Sequence, residues 1–198
     1  MRGPLGVIIK QININRQTMK KTLSLATLLV FATICFGQNQ QTKEQELSNA
    51  EKFSSKAGAL IKKEFIDIGK IKDAEIKVVY YTDLINNQKQ SAVKFEYEHT
   101  GKYSSDTKIA VLDADEIDGL IKSIKIIQEK IFPSTATNYT EVSFKSRGGF
   151  EAGCFWSKGS WSTYIKLEKF DSDSYVFLNK DDFPKLLELL EQAKLKIQ

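Results

Sequence analysis

The chain is poor in the residues on which most catalysis and metal chemistry depend: its 198 residues include one histidine, two cysteines and three prolines. A lone histidine, His99, excludes an ordinary zinc set and leaves no defensible Ser-His-Asp assignment. In EYEHTGKY it ends a strand beside a turn, where a solvated side chain is expected. Cys35 lies in a segment read below as a leader, so Cys154 is left without a partner for an intramolecular disulfide. The fold has to stand on its core. A free cysteine on a strand is usually a small buried hydrophobe, and nearby Glu151 opposes a stabilised thiolate. A thiol-dependent enzyme using Cys154 is the catalytic alternative, and it rests on that residue alone. Phosphate-cradling loops of the GxGxxG and Walker kinds are absent. The acid pairs Asp113 with Asp115, Asp171 with Asp173 and Asp181 with Asp182 lack the alternating oxygen ligands of a calcium loop. Turn and cap chemistry accounts for them, and neither a metal nor a cofactor is expected.

Long apolar runs are equally scarce. The one that stands out, MKKTLSLATLLVFATICFGQ from Met19, has the layout of an export signal: Lys20 and Lys21 as the positive start, Thr22 to Ile34 as the apolar stretch, and small residues before Gln38. It is too short, and too soon followed by polar QNQQTKEQE, to read as a membrane span. Cleavage is expected after Gly37, giving an exported protein, periplasmic or extracellular. Residues 1–18 read as an upstream extension, with translation expected from Met19 or else an unusually long n-region. A lipid anchor at Cys35 is not expected, because branched Ile34 stands where a small residue should precede a lipidated cysteine. The leader carries Arg2, Lys10, Arg16, Lys20 and Lys21 and no acid, so its removal takes the basic residues from 29 to 24 against 25 acids. The mature charge is therefore −1, Arg147 is the only arginine left, and a nucleic-acid partner is disfavoured.

What the chain does contain is a repeat. IAVLDADEIDGLIKSIKIIQEKI and YVFLNKDDFPKLLELLEQAKLKI stand sixty-six residues apart, with Leu112 over Leu178, Asp115 over Asp181, Leu120 over Leu186 and Ile131 over Ile197. Before the first copy, IKKEFIDIGKI, AEIKVVYYT, SAVKFEYEH and TKIAVL read as strands, with Asn86-Asn87 turning a hairpin between the second and third. Before the second, YTEVSFK, GFEAGCFW, STYIKLEKF and SYVFL do the same. Ile117, Leu120, Ile121, Ile124, Ile127 and Ile131 fall at helical spacing, as do Phe183, Leu186, Leu187, Leu190, Ala193 and Ile197. Asp115 and Asp181 are the expected caps, Asp181 because Pro184 must fall in the first turn. The expectation is an α+β fold, a duplicated ββββα unit with antiparallel sheets each covered by one helix. Residues 38–59 read as a polar tether, 60–131 as the first unit, 132–138 as a linker and 139–198 as the second. One merged sheet or two remains open.

Strand-strand-strand-strand-helix, twice over, resembles the Whirly family of single-stranded DNA-binding proteins, at the level of topology and without a shared motif. That resemblance implies a basic, aromatic sheet surface for nucleic acid, and the acidic balance here departs from it. The most distinctive local feature is aromatic. Phe155, Trp156, Trp161 and Tyr164 crowd around two glycine turns, and they are the candidate ligand-binding residues. Exposed, they would take an apolar or carbohydrate-like ligand or a protein partner; buried, they would be core. A non-catalytic binding or structural module is the expected function, with a single-stranded nucleic-acid binder as the alternative that the resemblance implies.

Overall fold

The computed structural model describes residues 46–102 and 104–197. The expected leader, its cleavage site, the upstream extension, Cys35 and the start of the tether lie outside the described residues. A short helix α1 (Asn49–Ser54) precedes four strands, β1 (Ile61–Ile71), β2 (Ala74–Asp83), β3 (Lys89–Thr100) and β4 (Ser105–Asp113), and a helix α2 (Ala114–Ile126). Then β5 (Thr140–Lys145), β6 (Glu151–Ser157), β7 (Ser160–Lys166) and β8 (Tyr175–Leu178) lead to the closing helix α3 (Asp182–Ile197). Each set of strands is an antiparallel sheet in sequence order, β1-β2-β3-β4 and β5-β6-β7-β8. The duplicated ββββα unit therefore builds two sheets. None of the described helices is long and apolar enough to cross a membrane.

Turn chemistry sets the strand registers. Asn87 takes φ 55° in the β2–β3 hairpin, and the turn between β6 and β7 places Lys158 and Gly159 at 52° and 80°. Asparagine and glycine tolerate this left-handed region best, which is why those turns carry them. Asp83, fully buried, accepts from the backbone N–H groups of Ile85 (2.9 Å) and Asn86 (3.2 Å), closing the turn that follows it.

The repeat holds at the level of hydrogen bonds. The Asp113 N–H donates to the Glu116 carboxylate at 2.9 Å, and sixty-six residues later the Asn179 N–H donates to the Asp182 carboxylate at 2.8 Å. Leu112 and Leu178 are both buried, and Leu120 and Leu186 are both fully so. One of the two caps differs from that expected. Asp113, the last residue of β4, is the N-cap of α2, in place of Asp115. α3 begins at Asp182, so Asp181 stands at the N-cap position as expected, the Asp182 carboxylate reaches back to the Asn179 N–H, and Pro184 falls in the first turn, where its missing N–H costs nothing. Beyond Ile126, α2 widens into a π-turn, Ile127–Ile131. That turn carries Phe132 to within 5.5 Å of the Phe183 ring.

Each helix reaches into the other unit. α3 packs on β1, β2 and β3, whereas α2 lies on β3 and β4 and also on β5 and β6. Gly69 makes the first contact possible: a Cβ there would stand 2.7 Å from Leu189 Cδ2, at a φ of 154° that side-chain-bearing residues rarely adopt. It follows a β-bulge beside Asp67. One continuous core takes in both sheets and both helices, with Phe95 of β3 and Phe150 before β6 at 4.7 Å between ring centres.

The segment expected as a tether is partly folded. Ser48 and Glu51 form a capping box at the start of α1, and Ala50 is fully buried with Val79, Tyr81, Ala92 and Val111 on the outer face of the first sheet. The Asp113 carboxylate, 1% exposed, accepts from the N–H groups of Asn49 (2.7 Å) and Ala50 (2.8 Å). One aspartate thus caps α2 and anchors α1.

Ion pairs join the halves and give the fold an acid limit. Lys108 lies 2.5 Å from both Asp106 and Asp171, and its hydrogen bonds hold both carboxylates below their ordinary range. Glu75, bonded to Lys70 and Lys77, is lowered to about 2. A carboxylate with a depressed folded pKa stabilises the fold above its unfolded value and loses that contribution as pH falls through the folded one. Thermal melts should therefore show stability declining from about pH 4 toward pH 2. Substituting Lys108→Met should flatten that decline; a wild-type decline beginning above pH 6 would contradict it.

Candidate functional site

Alternation along the second sheet sorts its aromatic side chains into two sets. Ala152, Cys154, Trp161 and Ile165 join the core, with Trp156 packed at its margin. Residues of opposite parity face outward. The pairing of Phe155 with Ser162, of Gly153 with Ser143 and Tyr164, and of Tyr164 with Phe177 lays them out as rows across four strands.

The four candidate residues consequently divide. Trp161 is 6% exposed and its indole N–H donates to the Ser134 carbonyl at 2.9 Å. Trp156 pairs with it edge-on at 5.3 Å across the hairpin. Both tryptophans belong to the inner side, so the exposed tryptophan pair entertained from the sequence is not what the fold presents. Phe155 and Tyr164 do face outward, and they stand in a longer series. Centre-to-centre distances run 6.3 Å from Tyr139 to Phe155, 6.3 Å from Phe155 to Tyr164, 5.2 Å from Tyr164 to Tyr175 and 5.8 Å from Tyr175 to Phe177. Tyr164, 5% exposed, is covered by its neighbours, while Tyr139 and Phe177 are 66% and 63% exposed.

Glycine again makes the arrangement possible. A Cβ on Gly153 would meet the Val142 carbonyl at 2.3 Å and Ser143 Cα at 2.8 Å, so β5 and β6 could not close to this distance with any other residue. Polar groups frame the rings. Lys166 sits 4.9 Å over the Tyr175 ring, the Tyr139 hydroxyl donates to Glu141, and Lys145 pairs with Glu151 at 3.1 Å. Two lysines and two glutamates leave the face without net charge.

Other constellations are already satisfied internally. Asp113, Asp115 and Glu116 bring carboxylate oxygens within 4.8 Å of one another, yet Arg147 stands among them. Its guanidinium bonds Asp113 and Asp115, the latter at 3.0 Å, and its own N–H donates to Glu116 at 2.6 Å. A polar cleft of about 570 Å³ beside the β1–β2 turn is lined by Lys70, Lys72, Glu75, Glu96 and Glu98. Within it Lys70 pairs with Glu75 at 2.6 Å and Lys72 with Asp182 at 3.0 Å. Cys154 is fully buried, and burial pushes its thiol up to about 11. His99 lies on β3 of the other sheet, beside Tyr97. No thiolate and base meet here.

The sequence reading missed Tyr139, Tyr175 and Phe177. In SYVFL every residue of β8 is apolar, so alternation carried no sign of which side faced out. Trp161→Ala should cost about 3–5 kcal/mol in a denaturant melt, as loss of a buried indole does, whereas exposed Phe177→Ala should stay within about 0.5 kcal/mol. Equal losses at the two sites would reverse the assignment of faces. No protein-family model, curated protein or solved structure matches this chain.

Proposed function

We propose that this chain is an exported, non-catalytic binding module whose outer aromatic face takes a carbohydrate-like ligand. The observation that carries the reading is the series Tyr139, Phe155, Tyr164, Tyr175 and Phe177 on the outer side of the second sheet. A sugar ring has apolar C–H faces and a hydroxyl rim, so it matches aromatic faces bordered by Ser143, Ser162, Glu141 and Lys166. An open sheet face suits an extended chain better than a small apolar molecule, which binds in an enclosed cavity. Secretion, expected from Met19 to Gly37, would bring the protein to extracellular polysaccharide. Burial of Cys154 supports this reading over a thiol-dependent enzyme.

Nucleic acid is the runner-up, because aromatic side chains on an open sheet also stack bases. Balanced charge on the face weighs against it, since phosphate neutralisation supplies most of that affinity. Retention on a panel of polysaccharides, measured by affinity electrophoresis, tests both. The chain should be retarded by at least one polysaccharide, and Phe155→Ala or Tyr175→Ala should weaken that roughly tenfold without unfolding. Tight oligonucleotide binding that falls steeply with salt, with no polysaccharide retention, would replace this reading with the runner-up.

A further inference from the structure

The two sheets have four outer edges, and three of them are guarded. β1 carries Lys62, Lys63, Glu64, Asp67 and Lys70 and a bulge before Gly69. β5 carries Glu141 and Lys145. β4 carries Asp106 and Lys108, and its Ile109 N–H donates to Glu168 at 3.2 Å. Charges, bulges and coverings are the usual means of stopping a strand edge from pairing with another chain. β8, Tyr175-Val176-Phe177-Leu178, has no charge, no proline and no register shift. Among the described residues its strand partner is β7 alone.

We infer that β8 is a homotypic pairing edge, to which a second copy of this chain adds its own β8 antiparallel. Parity decides the register. Residues opposite each other in a sheet point to the same face, so a two-fold axis between identical strands must pass through a residue. Centred on Val176, it sets Tyr175 opposite the partner's Phe177 twice over, extending the stacked Tyr175–Phe177 pair (11° between planes) across the join. Centred on Phe177, it would set Tyr175 opposite Asn179 and forfeit those pairs. Beyond the strand, the Val176 register leads exposed Asp173 of each copy toward the uncharged Asn179 of the other. Asp171, which then approaches the partner's Asp181, is already neutralised by Lys108 at 2.5 Å. A second copy therefore meets this edge with matching length and aromatic against aromatic. Four residues make a small contact, and the dimer is of the transient class. The joined sheets would carry one aromatic face across both copies, and the dimer stands or falls separately from the identity of any ligand.

Sedimentation equilibrium of the purified chain at rising concentration tests it. A monomer–dimer equilibrium is expected, and Phe177→Lys should weaken it roughly tenfold or more while leaving the melting temperature unchanged. For the register, a Tyr175→Cys chain should cross-link to a Phe177→Cys chain, and neither to itself; buried Cys154 stays out of the reaction. Self-linking of the Phe177→Cys chain would overturn the Val176 register. A chain that stays monomeric up to millimolar concentration overturns the inference. Protected β8 amides in that monomer would mean the chain covers its own edge, and freely exchanging ones a foreign partner or none. Polysaccharide retention by such a monomer would leave the proposed function intact.

Discussion

Expressed alone, residues 46–133 should show no cooperative unfolding transition, and neither should 134–197. The first fragment would hold all of β1 to β4 and α2 but would lose α3, which packs on β1, β2 and β3. Ile66, Ile68, Ile76 and Phe95 would then face water, and Gly69 would be a strained glycine with no Leu189 to receive. The second fragment would lose α2 from β5 and β6, together with the Phe95 ring against Phe150 and the Lys108 amine beside Asp171. A unit of that size buries a small fraction of its surface and is marginal even before those contacts are lost. Mixing the two fragments should restore a folded complex, since every lost contact lies between them. A fragment that melted cooperatively alone would mean that the exchanged helices are ornament to self-sufficient halves.

Leu120→Ala and Leu186→Ala should each cost about 2–5 kcal/mol, the range for removing a fully buried leucine from a core that relaxes only in part. The two occupy equivalent places on α2 and α3, both with no exposed surface, in one continuous core. Since a domain of this kind has about 5–15 kcal/mol in hand, either change removes a large share of the total. Urea melts read the midpoint, and an unchanged slope keeps the comparison on stability alone. One severe loss beside one negligible loss would break the equivalence of the repeats.

Much of the frame was legible because it depends on local chemistry. Strand alternation in SAVKFEYEH, the Asn86-Asn87 turn and the three-four spacing of Ile117 to Ile131 each involve neighbours in the chain. Which sheet a helix covers does not. The apolar face of α3 reads the same whether it lies on its own strands or on β1, and the one local trace is Gly69, whose lack of a side chain has meaning only once Leu189 is seen above it. The cap of α2 was misplaced for a similar reason. Asp113 and Asp115 both precede an acid three residues on, and only Asp113 has the N–H groups of α1 to hold.

The candidate surface was half legible. Alternation along GFEAGCFW sets Phe155 on the side opposite Cys154, as the fold has it, and the short turn at Lys158-Gly159 brings Trp156 beside Trp161 at 5.3 Å. Grouping the tryptophans with Phe155 failed because Trp156 and Trp161 are direct cross-strand partners, so both share the inward parity of Cys154. Tyr175 and Phe177 reach the same face from β8, which is remote in sequence and uniformly apolar. Arg147 drew notice as a lone arginine, though its work, joining Asp113 and Asp115 to the turn before β6, is visible only in three dimensions.

The most direct test follows the ring protons of Tyr139, Phe155, Tyr175 and Phe177 by NMR while a retained polysaccharide is titrated in. The outer face of the second sheet, if it is the binding surface, will shift those four together, leaving the indole signals of Trp156 and Trp161 and the residues of the Lys70–Glu96 cleft in place. Shifts confined to that cleft or to the tryptophans, with the four outer rings unmoved, would contradict it.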